Sequence, residues 1–253
     1  MPQKLTMLEN IATINKSKTM KVEIWSDVMC PFCYIGKRKF ENALDQFTGK
    51  DNIEIRWRSF QLAPDLKTDT SKSVYDYLAE RKGWNPDYSR KVHYQLEATA
   101  KEVGLEYDFD RAIPANSFKA HRFSHLAAKY NQQDVAEERL FAAYFTEGRN
   151  IDDNETLIQL GNDMGLDPVE VTRALENGDY GDAVRKDIND AARVGVRGVP
   201  FFVFNDKYAV SGAQPSDLFL QALQKSYAEY EKETNPVTTE IIDGATCSTD
   251  GDC

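Results

Sequence analysis

Val22-Glu23-Ile24-Trp25-Ser26-Asp27-Val28-Met29-Cys30-Pro31-Phe32-Cys33 runs a short alternating segment straight into two cysteines three positions apart. The first five residues read as a strand, and Asp27-Val28-Met29 as the turn that leaves it. Beyond the cysteines, Cys33, Phe40, Leu44 and Phe47 recur at helical spacing, with Ala43 in the same stripe. The seam therefore puts Cys30 at a helix N-cap and Pro31 at N1, where a missing N–H is harmless because that donor has no intrahelical partner. A thiolate at Cys30 would face free amides and the positive end of the helix dipole, which favours ionisation. Cys33, on the first turn, lies near enough to close a disulfide. The expectation is an exposed attacking sulfur at Cys30 and a shielded resolving sulfur at Cys33.

Working outward, Ile53-Glu54-Ile55-Arg56-Trp57-Arg58 alternates strictly and reads as a second strand, so residues 20–64 make a βαβ unit. A C-x-x-C pair in that setting reads as a thioredoxin-like redox motif. From Pro64 to about Gly178 the pattern is helical throughout. Asp152 with Glu155, and Asp167-Pro168-Val169-Glu170, look like helix starts. Phe118, Leu126 and Tyr130 suggest one helix, and Leu140, Phe141, Tyr144 and Phe145 another. Strand signals return late. A helix with Tyr180, Val184, Ile188, Ala191 and Val194 on one face stops at Gly195. Val199-Pro200-Phe201-Phe202-Val203-Phe204, a turn at Asn205-Asp206, and Tyr208-Ala209-Val210-Ser211 then read as a hairpin. A closing helix carries Leu218, Phe219, Ala222, Leu223 and Tyr227.

Taken together, Ser26-Asp27 leading into Cys30-Pro31-Phe32-Cys33-Tyr34, the long helical stretch, and Gly195-Val-Arg-Gly198-Val199-Pro200-Phe201-Phe202 resemble the DsbA-type thioredoxin-fold oxidoreductases. The chain is most similar to their FrnE-like branch, which is related in fold to 2-hydroxychromene-2-carboxylate isomerases and kappa-class glutathione transferases. The resemblance covers roughly residues 20–230. It implies an α/β, thioredoxin-like fold with a mixed sheet and a large all-helical insertion. It also implies a cis Pro200 lying against the dithiol, and a protein disulfide oxidoreductase or isomerase activity. The expected organisation is a polar extension at 1–19, fold segments at 20–64 and 179–230, the helical insertion at 65–178, and an acidic tail at 231–253 bearing a second cysteine pair.

Bulk composition narrows the class. The chain has 253 residues, 41% of them hydrophobic and 28% charged, with a net charge of −10. That is ordinary globular material, and the acidic balance argues against nucleic acid, which calls for a basic stripe. No apolar run reaches the length of a membrane span. Glu9 and Asn10 interrupt the N-terminal apolar residues, and no small-residue cleavage site follows, so a cytoplasmic location is expected. There, a dithiol is usually transient and catalytic rather than structural.

The candidate catalytic residues are Cys30, Cys33 and Pro200. Pro31, Phe32, Val199 and Asn116 are candidates for substrate binding. Proline at 200 removes a donor and leaves the Val199 backbone free to pair with an extended client. Asn116 serves equally well as a cap for the helix starting near Phe118. Asp27 reads either as a turn residue or as a group that tunes the thiol. His121 and His125, one turn apart, read as a packing pair, and Trp25 as core. No metal is expected: the Cys247/Cys253 spacing is wider than a zinc knuckle, and no histidine accompanies either pair in sequence. Cys247 and Cys253 are candidates for a second redox pair, because the linker from Tyr230 has a coil dimension of roughly 20–25 Å. No resident cofactor is expected. The expected partners are disulfide-containing proteins or small molecules, with glutathione or another cellular reductant. Phe32 gives a thiolate neither donor nor charge, so the potential should fall very roughly between −180 and −260 mV. Two other readings stay open: a glutathione-dependent isomerase or transferase acting on a small aromatic substrate, whose members typically carry serine where this chain has Cys30, and a chaperone-like module that holds peptide.

Overall fold

The computed structural model describes residues 19–234. Its first unit is β1 (Met20–Ser26), α1 (Pro31–Asp45) and β2 (Ile53–Ser59), with β1 and β2 parallel and in register from Met20↔Ile53 to Ser26↔Ser59. Six helices follow before the chain returns: α2 (Val74–Lys82), α3 (Pro86–Lys101), α4 (Phe118–Ala128), α5 (Gln133–Phe145), α6 (Asn154–Asp163) and α7 (Pro168–Asn177). Then come α8 (Gly181–Val194), β3 (Phe201–Phe204), β4 (Tyr208–Ser211) and α9 (Ser216–Thr234). The sheet order is β2-β1-β3-β4, with β3 antiparallel to both neighbours. This is the mixed-sheet α/β thioredoxin-like architecture with a helical insertion.

Local chemistry places most boundaries. Asp167 caps α7 through the Val169 N–H (2.9 Å), with Pro168 at N1, and Gly178 ends the helix in the left-handed region at φ +74°. Asn205 and Asp206 both take positive φ, 50° and 56°, which these two residue types tolerate and the β3–β4 hairpin requires. One start shifts by a residue. The cap of α6 is Asp153, whose carboxylate accepts from the Thr156 N–H at 2.9 Å, not Asp152. Asp152 instead takes the Thr68 hydroxyl at 2.6 Å.

Both faces of the sheet are covered. Val22 and Ile24 point into the large core with α1 and α9, where Phe40, Phe202, Phe204 and Phe219 pack as one aromatic cluster. Trp25 points the other way, onto Ala191 of α8 with Val196 and Val203, and is core as expected. Glu23 is also buried, bound by Arg58 at 2.8 Å. The alternation in β1 therefore separates two packed faces rather than core from solvent.

The buried face of α8 differs from the expected stripe. It consists of Gly181, Val184, Asp187 and Ala191, while Val194 is 47% exposed. Asp187 is buried because three groups meet it: Arg58 Nη1 at 2.5 Å, the Ser59 N–H at 3.1 Å and His125 Nε2 at 3.0 Å. A buried carboxylate needs such partners, and only the arrival of β2 and α4 supplies them. No helix among the described residues is long and apolar enough to cross a membrane.

Candidate active site

Cys30 is the N-cap of α1, with Pro31 at N1. Its N–H donates to the Asp27 carbonyl (2.9 Å), closing the turn out of β1, and its carbonyl accepts from the Cys33 N–H at 2.9 Å. Both cysteines are free thiols. No side chain caps this helix end, so the cysteine itself occupies the place a capping hydroxyl or carboxylate would take. The first turn carries no acidic residue that would oppose a thiolate.

The burial of Cys30 departs from the sequence expectation. Cys30 is only 4% exposed, against 0% for Cys33, so both sulfurs are shielded. The reason is the returning chain. The Val199–Pro200 peptide bond is cis, and the Val199 carbonyl lies over the N-terminus of α1, where it accepts from Cys30 Sγ at 3.5 Å. Pro200 in turn lies against Gly36 of α1: a Cβ added there would meet the proline ring at 2.9 Å. The Pro200 carbonyl is held by the Gly212 N–H at 2.8 Å, which ties this loop to the end of the hairpin. The Val199 N–H has no backbone partner among the described residues. Phe32, between the two cysteines in sequence, is 47% exposed.

Cys33 sits in a strongly perturbing environment. Burial, then the adjacent Cys30 sulfur, holds the Cys33 thiol well above its ordinary range, while the Ser26 hydroxyl and the Asp27 backbone pull it back. Tyr107 donates its hydroxyl to the Pro31 carbonyl at 2.7 Å, steadying the first turn of α1. Burial, then Cys30, Tyr34 and Cys33, pushes that phenol upward, so it remains a donor. Neither Tyr107 nor Gly36 stands out in the sequence. A glycine inside a helix was the only hint of the close approach at 36.

Asp27 is fully buried and does more than turn the chain. Oδ2 accepts from the Leu62 N–H at 2.7 Å, Oδ1 accepts weakly from the Met29 N–H at 3.4 Å, and His121 Nε2 stands 3.5 Å away. His121 Nε2–H donates to the Phe60 carbonyl at 2.9 Å. Burial alone would lower the pKa of His121. Hydrogen bonding and charge attraction to Asp27, with Glu137 behind, more than offset this and leave it raised. His121 and His125 are each satisfied by a separate partner: one faces Asp27 and the other Asp187.

Asn116 is absorbed by structure. Its Oδ1 accepts from the Phe118 N–H (2.9 Å) and from Gln61 Nε2 (3.1 Å), while Nδ2 donates to the Leu66 carbonyl at 2.9 Å. The N-cap of α4 is Ser117, so Asn116 meets the first N–H of the helix from one position outside the cap, and its remaining polar contacts tie the loop together. Among the described residues no group of three or more histidine, cysteine or acidic side chains is placed to hold a metal ion. Cys247 and Cys253 lie outside the described residues.

This geometry, a dithiol at a helix start with proline at N1, set under a cis-proline loop, is that of a thioredoxin-fold oxidoreductase. Residues 21–224 match the DSBA-like thioredoxin domain, and the chain belongs to that family. It is 35% identical to a solved probable DsbA oxidoreductase from Streptomyces coelicolor, covering 92% of this chain and 97% of that one, with a TM-score of 0.77. It is 30% identical to the uncharacterized protein YwbO of Bacillus subtilis over 81% of this chain and 96% of that protein. The fold is also shared with the cytosolic disulfide reductase DsbM of Pseudomonas aeruginosa, at 18% identity, with 86% and 100% covered and a TM-score of 0.55.

Proposed function

We propose that the chain is a thiol–disulfide oxidoreductase whose Cys30–Cys33 dithiol exchanges electrons with protein or small-molecule disulfides. The observation that carries this reading is Cys30 at the uncapped N-terminus of α1, its sulfur against the Val199 carbonyl beside Pro200. An extended client pairs with the open Val199 N–H and lays its disulfide across Cys30, with Phe32 as an apolar rim. The Cys30 thiolate attacks one client sulfur. The client S–S bond breaks, a mixed disulfide forms, and the departing client thiolate takes up a proton. Cys33 then loses its proton and attacks Cys30 Sγ. The mixed disulfide breaks, releasing the second client thiol and leaving a Cys30–Cys33 disulfide. Two electrons have passed from the protein to the client.

The elevated Cys33 thiol fits the second step. It stays protonated and inert until the mixed disulfide has formed beside it. Glutathione or another cellular thiol regenerates the dithiol, and DsbM, which shares this fold, has been solved with GSH. The tail pair Cys247/Cys253 serves as an internal relay to the main site. The length of the linker supports that reading.

Insulin reduction with glutathione as electron source tests the proposal. Cys30→Ser should abolish turnover, and Cys33→Ala should accumulate mixed disulfides visible as mass shifts. A Cys30→Ser protein that still turns over would overturn the reading. For the tail, a Cys247→Ser, Cys253→Ser variant should slow turnover at limiting reductant. Unchanged rates would dismiss the relay and leave the main site standing.

A further inference from the structure

Next to the dithiol lies a cavity of about 200 Å³ that thiol exchange does not use. Its walls include Met29 and Pro31, the two residues flanking Cys30, and Leu62 and Ala63 from the segment after β2. The rest comes from α2, α3, the α3–α4 connection and the end of α5, with Val74, Leu78, Leu96 and Phe109 giving an apolar interior. Apolar cavities of about 150 Å³ admit one benzene ring, so this one has room for a ring and a short substituent.

Its charged groups are of one sign. The lining includes Arg81 and Lys82 and no carboxylate, in a chain with 41 acidic and 31 basic residues. Lys82 makes no ion pair among the described residues. Arg81 meets only the exposed Asp65 at 3.3 Å and the Leu62 carbonyl at 3.1 Å. The Tyr77 hydroxyl is buried close to Arg81, and no protein group meets it with good hydrogen-bond geometry. His93 Nδ1–H donates to the Ser89 carbonyl at 2.8 Å, and burial lowers the pKa of the ring, so it stays neutral. A buried hydroxyl without a partner is costly, and two cations at the mouth of an apolar hole complement an anion.

We propose that this cavity binds a hydrophobic group about one ring in size that ends in a carboxylate. It thereby selects redox substrates that carry such a group within reach of Cys30. The inference rests on the redox reading above and adds a substrate class to it. The carboxylate sits between Arg81 and Lys82 and the Tyr77 hydroxyl, while the ring fills the apolar interior. The disulfide attached to it then spans the Met29–Pro31 wall.

Two aromatic disulfides of different charge test this: 5,5′-dithiobis(2-nitrobenzoate), which is anionic, and 2,2′-dithiodipyridine, which is neutral. Each rate with the reduced protein is divided by its rate with free glutathione. The corrected rate should favour the anionic probe by roughly tenfold, the worth of one charge-assisted contact. Arg81→Gln with Lys82→Gln should remove that preference while leaving the neutral probe within about twofold. The preference should also survive in a Tyr77→Phe protein only in reduced form. No corrected preference, or one that the double variant leaves intact, would overturn the proposal.

A Cys30→Ser protein separates this test from the redox reading, because 3-phenylpropionate should still bind it, as titration calorimetry would read. Binding without insulin reduction in the wild type would refute only the dithiol chemistry. Reduction without binding would refute only the pocket. Competition by 3-phenylpropionate against a peptide containing Phe-Glu then assigns the group to a free small acid or to a client side chain, and competition by neither would again sink the proposal.

Discussion

Gly36 shows how tightly single residues govern the dithiol. Its missing side chain lets the ring of Pro200 rest on α1 while the Val199 carbonyl reaches Cys30. Gly36→Ala would improve helix propensity by about 1 kcal/mol in isolation. Here the added methyl meets the Pro200 ring at 2.9 Å, so the loop must move. The expected outcome is a net destabilisation of roughly 1–3 kcal/mol, the usual cost of overpacking. Faster alkylation of Cys30 should accompany it as the shielding carbonyl retreats. Urea unfolding and iodoacetamide kinetics would show this, and a variant as stable as the wild type with an unchanged alkylation rate would contradict it. At this scale the sequence was informative about chemistry and silent about proximity. Cys30, Cys33 and Pro31 declared their roles by spacing. Gly36, Tyr107 and His121 could not, because each acts on a residue dozens of positions away.

At the scale of elements, the back of α1 is fastened to α5 by charge. Glu138 binds Arg38, Tyr34 at 2.6 Å and Lys37 at 3.1 Å, and Lys37 also meets Glu41. Burial alone would raise the pKa of Glu138. Arg38, Tyr34 and Lys37 outweigh that and bring it down from 4.5 to about 2. Because the folded value lies below the unfolded one, this carboxylate stabilises the fold fully above about pH 4.5. Its contribution is lost as pH falls toward about 2. Glu138→Gln should therefore cost roughly 2 kcal/mol at neutral pH. The gap to the wild type should narrow below pH 4.5 and close near pH 2. Chemical denaturation across that range checks it, and a gap that stays constant with pH would show that charge is not what holds α5 to α1. The clamp was invisible in sequence, since Arg38 and Glu138 lie 100 positions apart.

Across the whole molecule, the helical insertion does not carry a separate core. One buried cluster runs from Val22 and Ile24 of the sheet through Tyr34 of α1 to Phe141 and Phe145 of α5 and on to Leu157 and Val171. Tyr34 stacks on Phe141 at 4.9 Å, and the indole N–H of Trp57 in β2 donates to Asp134 of α5 at 2.9 Å. Sheet and insertion should therefore unfold in a single transition, although chains of this length often show intermediates. Coincident midpoints from tryptophan fluorescence and far-UV circular dichroism are expected, and separated midpoints would mean that the insertion is an independent unit. The sequence by itself determined the order of elements, the dithiol at a helix start, and the class of chemistry, because those depend on local periodicity, capping and spacing. Only the tertiary structure decided that Cys30 is shielded, that Asn116 is spent on its loop, and that Asp187 is buried on a helix whose pattern placed Ile188 and Val194 inside. Each of these depends on what arrives from a distant segment to cover or satisfy the group. A one-dimensional pattern records a residue's own preferences and not the partners that will meet it.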